Sequence, residues 1–331
     1  METTLPLKLA SSRPTIGVIL LNLGGPEKPA DVRPFLYNLF SDRQIIRLGP
    51  RLLQKPLAWL IASRRAAKSR AAYACIGGGS PLMKITAEQG RALAEQLSGH
   101  GSFRVVMAMR YWRPDADAAL RELAAAGIRR AVALPLYPHY SRATTGSSLE
   151  DLRRAVGRLA GNLALAEIRE WPDQSGYIDC LAAAILQGVR QLPAGESQVV
   201  YSAHSLPVSF IKEGDPYLVQ IERTIKAVER ITGLAGRLCF QSRSGPVEWL
   251  APSTPEMLEQ LAREGCRNIL MVPISFVSDH VETLYEIDIL YRQQAERLGM
   301  RLARTESLNV APPFIAALRD LVLDAVNQQG W

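Results

Sequence analysis

The chain has 331 residues, about the length of two ordinary domains, and its 47% apolar and 21% charged content indicates a globular protein with an ample core. Its four cysteines include no CxxC pair, which argues against a zinc knuckle or a disulfide framework and favours a reducing, cytoplasmic setting. The first residues lack a basic region followed by an apolar one, and no run approaches the ~20 apolar residues that cross a bilayer, so we expect neither a signal peptide nor a membrane-spanning helix.

Short apolar strands alternate with helical patterns along the whole chain. In chain order, the predicted strands cover 16–22, 104–109, 130–136, 163–168, 198–203, 237–241, 268–274 and 301–305. The predicted helices cover 30–40, 85–98, 115–126, 147–160, 174–190, 215–231, 255–264, 280–298 and 312–327. Because parallel strands are joined by crossover helices, this alternation predicts an α/β protein with parallel sheets flanked by helices.

The net charge of +7 is concentrated in one stretch. Eight basic residues and no acidic residue lie between Arg43 and Arg70, together with Leu52, Leu53 and Trp59. This combination predicts an anionic and partly apolar partner, either a membrane surface or an amphiphilic acid, whereas nucleic acid favours a polar basic patch. The alternative is an ordinary amphipathic helix that packs on its own domain.

The second half of the chain repeats the first. Residues 126–129 and the following strand match residues 264–267 and their strand at an offset of 138, and the strand that ends before Leu23 matches the one that ends at His204 at an offset of 181. The larger offset implies roughly forty extra residues between the first two strands of the N-terminal half.

We therefore predict two similar Rossmann-like lobes with a cleft between them. The predicted units are an N-terminal lobe at 1–170 with a lip insertion at about 41–75, a C-terminal lobe at 171–310 that carries the metal site, and a C-terminal helix in 311–331 that packs back on the lobes. In the first lobe, Leu23 is equivalent to His204, so one wall of the cleft is expected to be apolar where the other carries an imidazole.

Polar side chains follow two predicted strands at their carboxyl ends, where parallel α/β folds bind ligands. His204 follows the strand 198–203, and Asp279 is placed to cap a helix in which Glu282 and Glu286 lie one turn apart. Like charges at that spacing repel, so a cation, protons or water should compensate them. One imidazole with one or two carboxylates suits Fe²⁺ that is held loosely, with open coordination positions.

Each of these signals alone has a plainer interpretation. A single histidine at a strand end is more often structural, and the pair of Asp279 and Glu282 fits a simple capping box. The glycine clusters at 24–26, 77–81 and 144–148 match neither a Walker A motif nor a dinucleotide fingerprint, so a phosphate-transferring enzyme is only weakly supported.

Six motifs in order along the chain closely resemble the ferrochelatase family, whose members insert iron into porphyrin at the end of heme synthesis. They are Leu-Asn-Leu-Gly-Gly-Pro-Glu at 21–27, Gly-Gly-Gly-Ser-Pro at 77–81, Tyr-Ser-Arg-Ala-Thr-Thr-Gly-Ser-Ser at 140–148, Ser-Ala-His-Ser-Leu-Pro at 202–207, Gly-Asp-Pro-Tyr at 214–217 and Ser-Asp-His-Val-Glu-Thr-Leu-Tyr-Glu-Ile-Asp at 278–288. The match runs from about residue 16 to 320. It implies the two-lobed chelatase fold, with Fe²⁺ inserted into protoporphyrin IX in the cleft.

The resemblance also implies roles for individual residues. It makes His204, Glu282 and Glu286 the catalytic residues, of which His204 and Glu282 contact the metal and Glu286 continues the acidic row. The residues implied to contact the porphyrin are Leu23, Arg65, Tyr73, Ser80, Arg110, Tyr111, Tyr137, Trp249, Phe276 and His280. Some relatives carry an iron–sulfur cluster on a cysteine at the position of Arg142 and on a cysteine-rich tail. Here that position is arginine and the chain ends at Trp331, so no such cluster and no tightly bound cofactor is predicted.

The chemistry required by this reaction agrees with the residues present. Metallation removes two pyrrole protons, and an imidazole, with an ordinary pKa of ~6.5, is suited to accept them. We expect His204 to accept protons and contact Fe²⁺, Glu282 to act on the metal or the proton route, and Glu286 to relay protons outward. Whether His204 acts as base or as first ligand stays open at the level of the sequence.

Three alternatives remain. A chelatase for another tetrapyrrole would need more arginine than one basic lip supplies, and the same argument favours protoporphyrin over coproporphyrin. A heme or porphyrin carrier predicts a stable axial ligand, not a row of carboxylates leading away from the centre. The basic and apolar lip further suggests a peripheral contact with the inner face of a membrane, and no interaction with nucleic acid is expected.

Overall fold

A computed structural model describes residues 14–193, 197–243, 245 and 247–331. The strands are β1 (Ile16–Asn22), β2 (Phe103–Met109), β3 (Arg130–Pro135), β4 (Ala164–Glu167), β5 (Ser197–His204), β6 (Gly236–Gln241), β7 (Asn268–Pro273) and β8 (Arg301–Arg304). The α-helices are α1 (Val32–Ser41), α2 (Gln54–Ala74), α3 (Leu82–Leu97), α4 (Ala116–Ala125), α5 (Ser147–Leu159), α6 (Ser175–Arg190), α7 (Val208–Lys212), α8 (Tyr217–Thr232), α9 (Thr254–Arg263), α10 (Arg292–Arg297) and α11 (Pro312–Gln328). Two segments, Arg142–Gly146 and Glu282–Tyr291, are π-helical, and Pro29–Asp31 and Arg51–Leu53 form 3₁₀ turns.

The described strands form two parallel four-stranded sheets with the same topology. The first has the order β2-β1-β3-β4 and the second the order β6-β5-β7-β8, so β1 and β5 hold equivalent positions next to the centre of each sheet. Every residue of β1 is buried, as expected for a strand that has neighbours on both sides and helices on both faces. The predicted α/β class with two similar lobes is confirmed, and the predicted strand limits differ from the observed ones by at most one residue.

The helices agree less closely with the prediction. The predicted helix at 280–298 consists of a π-helical segment followed by α10, and α7 precedes the helix predicted at 215–231. Asp279 does not cap this helix: its carboxylate instead accepts hydrogen bonds from the side chains of Thr283, Ser307 and Asn309. The wide π-helical turn therefore begins without the capping box that the sequence suggested.

The largest difference is α2, which lies in the basic stretch: the set of predicted helices leaves it out, and a helix packed on its own domain was only the alternative interpretation of this stretch. Its buried face consists largely of alanines spaced four residues apart, Ala58, Ala62 and Ala66, which pack on α1. Alanines give a weak hydrophobic signal although they allow close packing of helix backbones. Trp59 of α2 is 54% exposed, and Leu52 in the 3₁₀ turn before the helix is 90% exposed.

The long connection from β1 to β2, residues 23–102, contains this helical lip, whereas the equivalent connection from β5 to β6 spans residues 205–235. After each fourth strand, the chain crosses to the other lobe. Helix α6 packs on α8 and β7, and α11 packs on α3, β3 and β4. One hydrophobic core consequently continues through both lobes, with Tyr177, Tyr201 and Phe314 among its largest side chains.

Candidate active site

A cleft of about 1620 Å³ opens at the carboxyl ends of both sheets. Its lining includes residues that directly follow strands on each side, such as Leu23 after β1, Arg110 after β2 and Ser242 after β6, together with His204 at the end of β5. Residues of the lip, among them Arg65 and Tyr73 of α2, close another side. The cleft thus occupies the position where parallel α/β sheets bind ligands.

The centre of the second-lobe wall is a hydrogen bond between His204 and Glu282. The Nδ1 atom of His204 lies 2.8 Å from Oε2 of Glu282, and the imidazole is 38% exposed while the carboxylate is 17% exposed. The backbone of His204 is fixed on both sides, because its N–H donates to Ser275 Oγ and its carbonyl accepts from the Tyr217 hydroxyl. With Nδ1 engaged, Nε2 is the ring nitrogen that is left for a ligand.

Two further side chains complete the acidic part of the site. The Ser242 hydroxyl lies 2.9 Å from Oε2 of Glu282 and 2.6 Å from Oε2 of Glu286. The Gln241 amide also donates to Glu282 Oε2 at 3.3 Å. The two carboxylates, which are separated by four residues in the π-helical segment, therefore meet at a single hydroxyl.

Electrostatics divides these groups into charged and neutral ones. Burial raises the pKa of Glu282, but the adjacent His204 outweighs this effect and lowers that pKa well below its ordinary value. Burial alone would lower the pKa of His204, yet the Glu282 carboxylate and its hydrogen bond raise it. Burial, reinforced by the charge on Glu282, raises the pKa of Glu286. The arrangement makes the imidazole more basic, because the Glu282 carboxylate stabilises the positive charge the ring gains when Nε2 takes up a proton, and it places next to them a carboxyl group that holds a proton more readily than usual.

His280 lies beside this cluster in a different state. Its Nδ1 atom is 3.0 Å from the carbonyl oxygen of Ser278, so Nδ1 is the donor and Nε2 carries the lone pair. Nε2 is buried without a hydrogen-bond partner among the described residues, and burial lowers the pKa of this histidine. Phe276 packs against the ring at 4.2 Å between centroids, which fixes its orientation.

The first-lobe wall is organised around Asp42, a residue that the sequence did not single out. Its Oδ2 atom accepts hydrogen bonds from Arg110, Tyr111 and Ser147 at 2.8, 2.7 and 2.5 Å. The guanidinium of Arg110 is thereby largely neutralised, and it also lies 4.8 Å from the centre of the Tyr111 ring. This wall presents a fixed, paired arginine instead of a free cation.

The lip approaches the second-lobe wall of the cleft through Tyr73. Burial, and to a smaller extent the Glu282 carboxylate, raises the pKa of the Tyr73 hydroxyl. The negative charge of Glu282 in the second lobe therefore acts on this buried residue of the lip. Ser80 lies against the end of β1 because Gly25 leaves room for it: a Cβ atom at Gly25 would lie 2.6 Å from the Ser80 side chain. The glycine cluster therefore serves close packing at the cleft.

Most of the residues expected to form the site line the cleft. These are Leu23, Arg65, Tyr73, Ser80, Arg110, His204, Trp249, His280, Glu282 and Glu286. Tyr111, Tyr137 and Phe276 do not line it: Tyr111 supports Asp42, Phe276 supports His280, and the Tyr137 hydroxyl is buried without a hydrogen-bond partner among the described residues. Ser242, Gln241 and Asp42 were missed, because neither a motif nor a charge pattern distinguishes them in the sequence.

The cleft contains more arginine than the basic lip and the predicted Arg110 supply. Arginines from other parts of the chain also line the cleft, namely Arg110, Arg142, Arg153, Arg154, Arg169 and Arg243. Arg142, Arg153 and Arg154 each form an ion pair with a glutamate, which reduces their charge toward a ligand. Arg169 lies over the ring of Tyr140, 5.3 Å from its centre.

The described ranges lack two kinds of feature. No helix there is long and apolar enough to cross a membrane. No group of three or more histidine, cysteine, aspartate or glutamate side chains there has the arrangement of a metal-binding cluster.

Comparison with known proteins gives a consistent result. A family model described as Ferrochelatase matches residues 15–326. A protein named Ferrochelatase from Desulfotalea psychrophila is 62% identical over 309 residues, which cover 93% of this chain and 97% of that protein. One of the same name from Geotalea uraniireducens is 49% identical over 315 residues, covering 94% and 98% of the two chains. Among solved structures, SirB from Bacillus subtilis with Fe³⁺ has a TM-score of 0.56 at 11% identity, covering 96% of this chain and 98% of the SirB chain, a likeness of fold alone.

Proposed function

This chain belongs to the ferrochelatase family, whose reaction inserts Fe²⁺ into protoporphyrin to form heme, and we propose that His204, Glu282 and Glu286 carry out that reaction in its cleft. The observation that carries the assignment of residues is the hydrogen bond from His204 to Glu282 at the carboxyl end of β5. It places a basic imidazole and a row of carboxylates on one wall, opposite the apolar and basic wall formed by the first lobe and the lip.

In the proposed mechanism, the macrocycle lies between these walls and presents its pyrrole nitrogens to His204. Glu282 stabilises positive charge on the imidazole, so the ring is a stronger proton acceptor than a free histidine. Since Nδ1 is occupied, Nε2 supplies the one available lone pair, and that lone pair either contacts Fe²⁺ or accepts a pyrrole proton. Metal contact and proton acceptance at Nε2 therefore take place one after the other. Glu282 and Glu286 take the protons away from the imidazole.

We further propose that the macrocycle contacts Leu23, Tyr73 and Trp249 through their apolar surfaces. Arg65 and Ser80 are then placed to interact with the propionate groups, because both line the cleft and Arg65 has no ion pair with a described residue. Tyr111 and Phe276 would act from behind the cleft, by holding Arg110 and His280. These assignments follow from the lining of the cleft and from the family motifs.

The lip is proposed to contact a membrane surface from the cytoplasmic side. Leu52 and Trp59 are exposed on the segment that carries the concentrated positive charge, a combination suited to anionic headgroups. All four cysteines are free, in keeping with a reducing compartment. A hydrophobic porphyrin that partitions into lipid would reach the cleft along the surface of the lip.

We also propose that the enzyme works without an iron–sulfur cluster on the segment 140–148. Arg142 occupies the position at which cluster-containing relatives are expected to have a cysteine. Its guanidinium pairs with Glu213 and lies 3.6 Å from the centre of the Phe210 ring. These two contacts join the first lobe to α7, so the Arg142 side chain has a structural role.

Coproporphyrin is the second candidate substrate. The observation in its favour is the set of arginines that line the cleft outside the lip, because these could pair with its two additional carboxylates. Of these arginines, Arg169 has no ion pair with a described residue and is the strongest candidate for such a contact.

The test is anaerobic incubation of the pure protein with Fe²⁺ or Zn²⁺ and protoporphyrin IX, followed by visible absorption. Formation of metalloporphyrin beyond one equivalent is the expected result. A spectral change that stops at one equivalent would indicate a carrier and refute the proposal. Repeating the assay with coproporphyrin compares the two candidate substrates directly, through their values of kcat/KM.

A further inference from the structure

Ser242 combines an unusual backbone conformation with a position between two carboxylates. It directly follows β6 and has a φ of 65°, one of two positive φ values among the described non-glycine residues. Residues other than glycine, asparagine and aspartate rarely adopt this left-handed backbone conformation, because their Cβ atom comes too close to the following carbonyl oxygen. A residue held in this way is often held for the position of its side chain.

The position in question is between Glu282 and Glu286, with hydroxyl-to-carboxylate distances of 2.9 and 2.6 Å. A serine hydroxyl has one hydrogen, so it donates to only one of the two carboxylates. The other short contact requires a hydrogen from the second carboxyl group. One proton is therefore shared along the sequence of oxygens from Glu282 to Glu286 through Ser242.

Among the residues that the structure describes around Glu286, none offers an equally short path for this proton. The Tyr291 hydroxyl is the other described partner of Glu286, but it lies 3.5 Å away, beyond the usual range for an O–H···O bond. On the opposite side, Glu282 Oε2 also accepts from His204 Nδ1 at 2.8 Å. A continuous series of short hydrogen bonds thus leads from the imidazole through Ser242 to Glu286, and Ser242 joins its two halves.

We propose that Ser242 is the relay through which the protons removed from the porphyrin pass from Glu282 to Glu286. The proposal rests on the function proposed above and specifies its proton route. In each transfer, the protonated Glu282 gives its proton to Ser242 Oγ while the Ser242 hydroxyl gives its own hydrogen to the Glu286 carboxylate. The serine is unchanged after its hydroxyl rotates, and the net result is one proton moved from Glu282 to Glu286, which releases it toward solvent.

The variant Ser242→Gly tests this relay because glycine removes the hydroxyl and keeps the left-handed backbone without strain. With the full chain, Zn²⁺ or Fe²⁺ and protoporphyrin IX, we expect kcat to fall at least tenfold while KM for porphyrin and metal changes less than twofold. We also expect kcat of the variant, but not of the wild type, to rise with imidazole buffer concentration at constant ionic strength, because a small base substitutes for the missing relay. A purely structural role would not produce this buffer dependence.

Two controls separate the possible causes of a loss. Ser242→Ala also lacks the hydroxyl and should show the same buffer rescue, whereas a loss confined to the alanine variant would indicate backbone strain and refute the relay. Ser175→Ala removes an exposed hydroxyl of the same lobe that lies outside the cleft and forms no side-chain hydrogen bond with described residues, and should leave kcat unchanged. An active wild type with an equally active Ser242→Gly variant would overturn the relay alone, whereas an inactive wild type would overturn the proposed function and the relay with it.

Discussion

The ion pair between Asp42 and Arg110 provides a quantitative test of how the first-lobe wall is held. The distance from Arg110 Nη2 to Asp42 Oδ2 is 2.8 Å. The Arg110 side chain is only 19% exposed and the Asp42 side chain only 9%. Tyr111 and Ser147 donate to the same carboxylate oxygen. Asp42→Asn keeps the size of the side chain but removes its charge, which leaves the Arg110 guanidinium with only the more distant carboxylate of Asp151, at 3.7 Å.

The expected magnitude follows from this burial. Removing one partner of a buried pair costs about 3–5 kcal/mol, and the remaining exposure of Arg110 places the expected value near the lower limit, about 3 kcal/mol. An unfolding entropy of ~2.1 cal/mol/K per residue gives ~0.7 kcal/mol/K for 331 residues, so the melting temperature should fall by about 4 °C. Arg110→Met should cost a similar amount, because it leaves the carboxylate without its cation.

A double-mutant cycle measured by urea denaturation of the ligand-free protein checks this reasoning. The double variant should be more stable than the sum of the single changes predicts, by at least ~1.5 kcal/mol, since it removes both charges together. The exposed pair of Arg104 and Glu122 is the matched control: its side chains are 55% and 48% exposed, and Glu122→Gln should change stability by less than ~1 kcal/mol. Additive effects of Asp42→Asn and Arg110→Met would show that the pair is solvent-screened and that the wall is held by other contacts.

Three further outcomes are expected. His204→Ala should abolish metal insertion while porphyrin binding, measured by fluorescence quenching, largely survives; lost binding with retained insertion would contradict this role. Glu286→Gln should slow turnover less than Glu282→Gln, and the reverse order would contradict the roles of the two glutamates. Although burial raises the pKa of Asp279, its hydrogen bonds and a neighbouring arginine lower it overall, so its contribution to stability should be present above an unfolded pKa of ~3.9 and be lost as pH falls through the lower folded value. Asp279→Asn should flatten this acid limb in urea titrations, and an unchanged pH dependence would argue against it. Leu52→Asp should weaken sedimentation with anionic phosphatidylserine vesicles without lowering turnover in solution, and equal sedimentation of both proteins would argue against membrane contact through the lip.

The strands and the catalytic motif could be predicted from the sequence because their signals are local. β1 is a continuous apolar run, and both His204 and Glu282 stand in motifs that directly follow such runs. Helix α2 was only an alternative interpretation of its stretch, since its buried face is largely alanine while Trp59 is exposed, so the hydrophobic pattern of the helix is weak.

The missed site residues depend on contacts between distant parts of the chain. Asp42 meets Arg110 only after β1 and β2 pair, and the importance of Ser242 rests on a backbone angle and on two glutamates from another element. Neither residue differs in type from many solvent-exposed serines and aspartates. A sequence pattern therefore identifies the imidazole and the carboxylates but not the groups that hold them in place.

The internal repeat also explains how the two walls are held at a defined separation. Tyr140 and Ser278 follow the equivalent strands β3 and β7, and each is bound by a buried glutamine from the helix that leads into the second strand of the other lobe. Gln220 of α8 accepts a hydrogen bond from the Tyr140 backbone at 2.6 Å, and Gln89 of α3 donates to the Ser278 hydroxyl at 3.0 Å. Rotation of one lobe away from the other would break both contacts, and each such hydrogen bond contributes about 0.5–1.5 kcal/mol net. The duplicated scaffold thus fixes the width of the cleft symmetrically, while the residues that differ between the halves, Leu23 against His204 above all, give its two walls different chemistry.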